Sequence, residues 1–264
     1  MNAVLNIAAY RFVPLDDLAH WQGELLQSAQ HLNLKGTVLL AEEGINLFLA
    51  GNEGAVRQWL SDLRAHTPFA GLRAKESWSV QVPFKHLRVK IKREIIRMNQ
   101  PAVVPAQGRA PAVDAATLAR WLDQGHDDKG RPVVTLDTRN RFEVDEGSFT
   151  GALDWNLSKF SEFPQALARH VDALRDKTVV SFCTGGIRCE KAAIVMRESG
   201  LSHAYQLEGG ILQYFEDTQG APHWRGRCVV FDERGALDAD LRAHAGSAPV
   251  SASVSGSVSG SVSG

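Results

Sequence analysis

Val179-Val180-Ser181-Phe182-Cys183-Thr184-Gly185-Gly186-Ile187-Arg188-Cys189-Glu190-Lys191 decides how the second half of this chain folds. An apolar run leads into a cysteine, two glycines permit a tight turn, and residues 192–198 read as helix. The order is strand, loop, helix start. Glycines let backbone amides turn inward, and with the positive end of the helix dipole those amides form an anion cradle that lowers a thiol pKa. Cys183 is therefore the expected nucleophile, inside a loop made by Thr184, Gly185, Gly186, Ile187 and Cys189. Arg188 adds a permanent cation where an anionic sulfur or oxyanion would develop, and its planar fork suits that role better than a lysine.

Other readings stand beside these. A buried, inert cysteine would leave the flanking glycines and the arginine unexplained as packing. Arg188 could instead cap a neighbouring carboxylate. Asp137, Arg139 and Glu143 read as scaffold, fixing loop geometry through paired charges, and Cys228, in a strand-like stretch, reads as a buried thiol.

The Cys-x4-Arg spacing is one residue shorter than the Cys-x5-Arg of protein tyrosine phosphatases, whose longer loop accommodates a phosphate. It resembles the active-site loop of the rhodanese family, whose cysteine carries a terminal sulfur as a persulfide. Leu136-Asp137-Thr138-Arg139-Asn140-Arg141-Phe142-Glu143 is similar to the rhodanese Asp-x-Arg-x-x-x-Glu segment, and Gly147-Ser148-Phe149-Thr150-Gly151-Ala152 follows in place. Leu207-Glu208-Gly209-Gly210-Ile211 resembles the turn that closes the domain. The full wording from Cys183 to Lys191, with Phe160, Phe163 and Pro164, Glu42-Glu43-Gly44-Ile45-Asn46 and Phe231-Asp232-Glu233-Arg234, resembles the rhodanese-domain tRNA wobble-uridine hydroxylases over residues 4–234. That resemblance implies 5-hydroxyuridine formation at tRNA position 34, with Cys183 persulfidated during the cycle. It also implies molecular oxygen as co-substrate and the anticodon arm as partner. Cys189 then reads either as a packed thiol or as a resolving partner for the persulfide. Longer members of the family continue into a cysteine-rich segment, whereas this chain ends in Ser and Gly, so no metal contribution from such a region is expected.

With 264 residues the chain can bury two cores. A net charge of -1 gives no global attraction to nucleic acid, so an RNA site must be a local patch. Three cysteines, one reactive, suit a reducing compartment rather than a disulfide framework, and a cytoplasmic protein is expected. Residues 1–14 read as a first strand rather than a leader, and no apolar run approaches the roughly 20 residues of a membrane span. The nine histidines form no close pair and no Cys-x-x-Cys accompanies them, so no metal site is expected. No flavin, iron or nicotinamide motif is evident.

Residues 1–97 read as an α+β, ferredoxin-like βαββαβ domain. Its strands are expected at 4–12, 36–41, 46–50, 77–82 and 87–96, its helices at 15–32 and 53–65. Gly44 is free to take a positive φ in the hairpin turn, which Asn46 can brace. Residues 98–112, with Pro101, Pro105, Gly108 and Pro111, read as a linker. Residues 113–235 alternate strands with helices, as expected of a rhodanese-like α/β domain with a mainly parallel sheet. Residues 246–264, a Val-Ser-Gly-Ser repeat, read as a disordered tail.

In the first domain, Phe84-Lys85-His86-Leu87-Arg88-Val89-Lys90-Ile91-Lys92-Arg93 alternates basic with apolar residues. Strand period two places His86, Arg88, Lys90 and Lys92 on one face and Leu87, Val89 and Ile91 toward the core. The stripe suits phosphate contacts, or it is a solvated strand whose lysines block edge pairing. Four functions remain in view. The chain could be a tRNA hydroxylase, a thiosulfate or persulfide sulfurtransferase using the same Cys183, or a non-catalytic tRNA-binding or protein-interaction module. A phosphatase is the most distant, because the loop is short and no general acid is placed for it.

Overall fold

The computed structural model describes residues 3–243, so the expected disordered tail at 246–264 lies outside the described residues. The first half runs β1 (Val4–Phe12), α1 (Leu18–His31), β2 (Lys35–Ala41), β3 (Gly44–Asn52), α2 (Glu53–Ala65), β4 (Arg73–Ser79) and β5 (Leu87–Ile91). The order β4-β1-β3-β2 is ferredoxin-like, and β5 extends the sheet by pairing parallel to β2. Alternation in β1 sends Leu5, Ile7 and Ala9 into a core with Leu25 and Ala29 of α1 and Trp59, Leu60 and Leu63 of α2. Asn6, Ala8 and Tyr10 therefore belong to the opposite, helix-free face.

Two strands differ from expectation. β4 starts at Arg73 rather than 77, in register from Tyr10↔Arg73 to Val4↔Ser79, and Val80 beyond it is 74% exposed. Its sequence, Arg-Ala-Lys-Glu-Ser-Trp-Ser, carries little apolar alternation because it is an edge strand. β5 stops at Ile91 rather than 96. The chain then folds inward, burying Ile95, whose amide donates to Glu43 Oε1 at 2.7 Å.

The second half contains β6 (Ala112–Val113), α3 (Ala115–Gln124), β7 (Val133–Asp137), α4 (Arg141–Glu146), β8 (Gly147–Phe149), β9 (Leu153–Asp154) and α5 (Phe163–His170). It continues through β10 (Thr178–Phe182), α6 (Ile187–Glu198), β11 (Ala204–Leu207), α7 (Gly210–Asp217), β12 (Trp224–Gly226), β13 (Cys228–Val229) and β14 (Ala236–Leu237). The main sheet, β6-β11-β10-β7-β9, is parallel throughout. Every residue of its central strand β10 is buried, as a parallel sheet covered on both faces requires. Ala192, Ala193 and Met196 of α6 join the core on one side, while Leu118 and Trp121 of α3 and Tyr214 of α7 join that on the other.

Residues 98–112 are not a free linker. Met98, Val103 and Ala110 are buried in the core of the second half, because their apolar side chains outweigh the loop character of the intervening prolines. The turn at Gly209 and Gly210 does not close the fold either. It starts α7, and the chain continues through β12, β13 and β14.

The halves are joined through α6. Lys191, fully buried, donates to Glu43 Oε1 at 3.0 Å, Glu94 Oε2 at 2.7 Å and the Ile96 carbonyl at 3.1 Å. Asn46 likewise reaches across the sequence rather than within its hairpin, donating to the Ile95 carbonyl at 3.2 Å. Replacing Lys191 by Ala leaves two carboxylates facing each other without their cation. Urea unfolding should show a loss of about 3 kcal/mol or more, whereas a surface substitution such as Lys129→Ala should change stability by less than about 0.5 kcal/mol.

Candidate active site

Cys183 follows β10 directly and is flanked by the C-terminal ends of β7 and β11, the place where parallel α/β sheets carry their sites. Gly186 takes φ 98°, opens α6, and aims its amide at Cys183 Sγ at 3.2 Å. Gly210, at φ +68°, lies against the loop from behind. A Cβ there would stand 2.4 Å from the Cys183 carbonyl oxygen and 2.7 Å from the Gly186 nitrogen. Next to it, the Ile211 and Leu212 amides donate to the Cys183 and Thr184 carbonyls at 2.9 and 3.1 Å.

Cys183 is fully buried, and burial by itself would push its thiol up. Against that, a bond from the Cys189 thiol, the Arg188 charge and the Arg188 and Cys189 amides bring it down to about 5. Cys189 moves the opposite way, raised by burial and by the adjacent Cys183 anion. The two sulfurs thus interact, with Cys189 as the proton donor, and the Thr138 hydroxyl lies 3.7 Å from Cys189. Cys228 is a buried thiol pushed up to about 12 by desolvation.

Arg188 does pair with a carboxylate. Its two terminal nitrogens grip Glu143 at 2.6 and 2.7 Å, both residues being buried, so it serves the sulfur and Glu143 together. Thr184 Oγ1 lies 3.3 Å from both Glu143 Oε1 and the Val229 carbonyl. Arg139 and Asp137 form a separate buried pair at 2.6 Å. Glu143 thus ties to the loop through Arg188 and Thr184, whereas Arg139 and Asp137 tie to the Gly147 carbonyl and the Ser148 hydroxyl.

Sequence reasoning missed what the first half contributes. Tyr10, on the helix-free face of β1, donates to Glu190 Oε1 at 3.1 Å, and its hydroxyl stands 3.0 Å from where a Cβ on Gly186 would be. Lys75, paired with Ala8 in the register of β4, donates to the Gly185 carbonyl at 2.9 Å and to the Gly209 carbonyl. Glu190 also accepts from Arg109 at 2.9 Å and from Gln206 at 3.1 Å. The available signal was Glu190-Lys191 in the first turn of a helix otherwise fit for burial.

The basic stripe lies elsewhere. His86, Arg88, Lys90 and Lys92 are all exposed, and Val89 is buried, but Ile91 is 42% exposed rather than in the core, because β5 is the sheet edge. Arg88 and Lys90 pair with Thr37 and Leu39, the residues of β2 that alternate with its core positions. They thus share the helix-free face with Tyr10 and Lys75, separated from β1 by β3 and β2, about 14 Å at ordinary strand spacing. Among the described residues no three His, Cys, Asp or Glu side chains gather to hold a metal, and no helix is long and apolar enough to cross a membrane.

Two family profiles match the chain: one described as a UPF0176 acylphosphatase like domain over residues 4–95 and one as a rhodanese-like domain over residues 114–217. The chain is 61% identical to a tRNA uridine(34) hydroxylase of Variovorax paradoxus, across 94% of each chain. It is 62% identical to that of Delftia acidovorans, across 91% of each, and 63% identical to that of Bordetella petrii, across 91% of this chain and 95% of the relative.

The folded Cys183 thiol titrates near 5 against an ordinary value of 9.0. Its lowered pKa therefore adds stability in full above the ordinary value and loses it as pH falls toward the folded one. The stability of wild type relative to Cys183→Ser should rise from pH 5 to pH 9 in urea unfolding. Thiolate absorbance lost only in Cys183→Ser at neutral pH checks the same ionisation.

Proposed function

The chain belongs to the tRNA uridine(34) hydroxylase family, and on that footing we propose that it hydroxylates the wobble uridine of tRNA at C5, with Cys183 as the catalytic thiol and molecular oxygen as the oxygen source. It is a tRNA-modifying enzyme built on a rhodanese-like domain. The observation that carries the reading is its likeness to hydroxylases along both halves together. A sulfurtransferase would use the same Cys183 but has no need of the first half.

In this reading Cys183 carries a persulfide during the cycle, and its charged form is stabilised by the loop amides and Arg188. Arg188 acts from a fixed position because Glu143 holds both ends of its fork. The exposed edge formed by His86, Arg88, Lys90 and Lys92 contacts phosphates of the anticodon arm, and the enzyme works in the cytoplasm beside its substrate.

Nucleoside mass spectrometry of tRNA from cells lacking this gene tests the central claim. 5-Hydroxyuridine and its derivatives should return with the wild-type gene and stay absent with Cys183→Ser. Recovery with both would remove Cys183 from the chemistry, and recovery with neither would return the chain to the sulfurtransferase reading. Replacing Lys90 and Lys92 together by Ala should lower the slope of log affinity against log salt for an anticodon stem-loop by roughly 1.4. Cyanide-dependent thiosulfate turnover, where measurable, should be unaffected by that change.

A further inference from the structure

Phe231-Asp232-Glu233-Arg234 has no part in the chemistry described so far, yet it is strapped firmly between the halves. Asp232 accepts from Arg234 Nε at 2.8 Å and from its terminal nitrogen at 2.6 Å, and the other terminal nitrogen of Arg234 reaches Ser77 Oγ on β4 at 2.8 Å. The Glu233 amide donates to the Pro83 carbonyl at 3.0 Å. This rigid turn displays Phe231, which is 39% exposed and one of four large apolar side chains left exposed among the described residues. Its ring lies 6.1 Å from that of Phe48, and the Arg188 guanidinium carbon lies 6.0 Å from its centroid. Together with Asn6, Lys75 and Thr184 these two rings line a cleft between the halves, beside the catalytic loop.

We propose that the uracil ring of an unpaired uridine stacks on the exposed face of Phe231, at the mouth of this narrow cleft; the inference rests on the reading that the substrate is tRNA uridine 34. A half-exposed aromatic ring, immobilised beside an arginine and facing a cleft, offers the π-face on which bases of single-stranded RNA stack. The surrounding surface agrees in charge. Phe48 pairs with Thr37, and Thr37 with Arg88, so one row across the helix-free face leads from the cleft to the basic edge in two strand steps, about 10 Å. A base stacked on Phe231 would therefore leave its flanking phosphates close to Arg88 and Lys90.

The test uses the full chain and an anticodon stem-loop RNA carrying 5-iodouridine at position 34, cross-linked by near-ultraviolet light, with the attachment mapped by peptide mass spectrometry. The expected attachment is to the peptides holding Phe231 or Phe48. Phe231→Ala and Phe231→Leu should each weaken binding of the unmodified stem-loop by about tenfold, with Phe231→Trp restoring it and thermal unfolding unchanged in Phe231→Leu. If wild type hydroxylates tRNA but cross-links map only to the β5 edge and Phe231→Leu binds normally, the cleft assignment fails while the function stands. If wild type neither binds the stem-loop nor restores 5-hydroxyuridine in cells, the function fails and takes the cleft with it.

Discussion

A negative charge on a sulfur that water does not reach must be held entirely by the protein. Burial alone drives the Cys183 thiol toward its neutral form, and the loop opposes that with the Gly186 amide, the start of α6, the Cys189 thiol and Arg188. Arg188 is shared, because Glu143 binds both ends of its guanidinium. The cation therefore acts as a fixed part of a larger cluster, and the amides matter correspondingly more. Their direction depends on the two glycine turns, at Gly185-Gly186 and Gly209-Gly210. Both turns have a carbonyl held by Lys75.

That lysine comes from the other half of the chain. A ferredoxin-like sheet has helices on one face only, and here its bare face packs over the catalytic loop, bringing Tyr10 and Lys75 to it from adjacent strands. The first half is thus both a wall of the active site and, at its far edge, a basic surface. Glu43 beside Gly44, which the sequence presents as a hairpin turn, turns out to hold Lys191 and the Ile95 amide at this junction.

How much of this was legible in the sequence depended on whether a residue's role was local. β10 was readable because a strand buried on both faces is largely an apolar run, and the loop because glycines and a cysteine in that order have few other uses. β4 was misplaced because, as an edge strand, it carries polar residues on both faces, Lys75 and Ser77 on one and Glu76 on the other, which erases the alternation that marks a strand. Residues 98–112 looked like a spacer because their prolines are conspicuous and their few apolar anchors are not. The Arg188–Glu143 pair and the Lys191 junction join positions 45 and about 100 to 150 residues apart, and charge patterns carry no signal over such distances.

The complete burial of Cys183 has a further effect. Sulfur is lost to sulfenic and higher acids when it is both ionised and accessible. A low pKa supplies the first condition at neutral pH, and the depth of the loop withholds the second. The surroundings that lower the pKa of the thiol therefore also shield it from solvent.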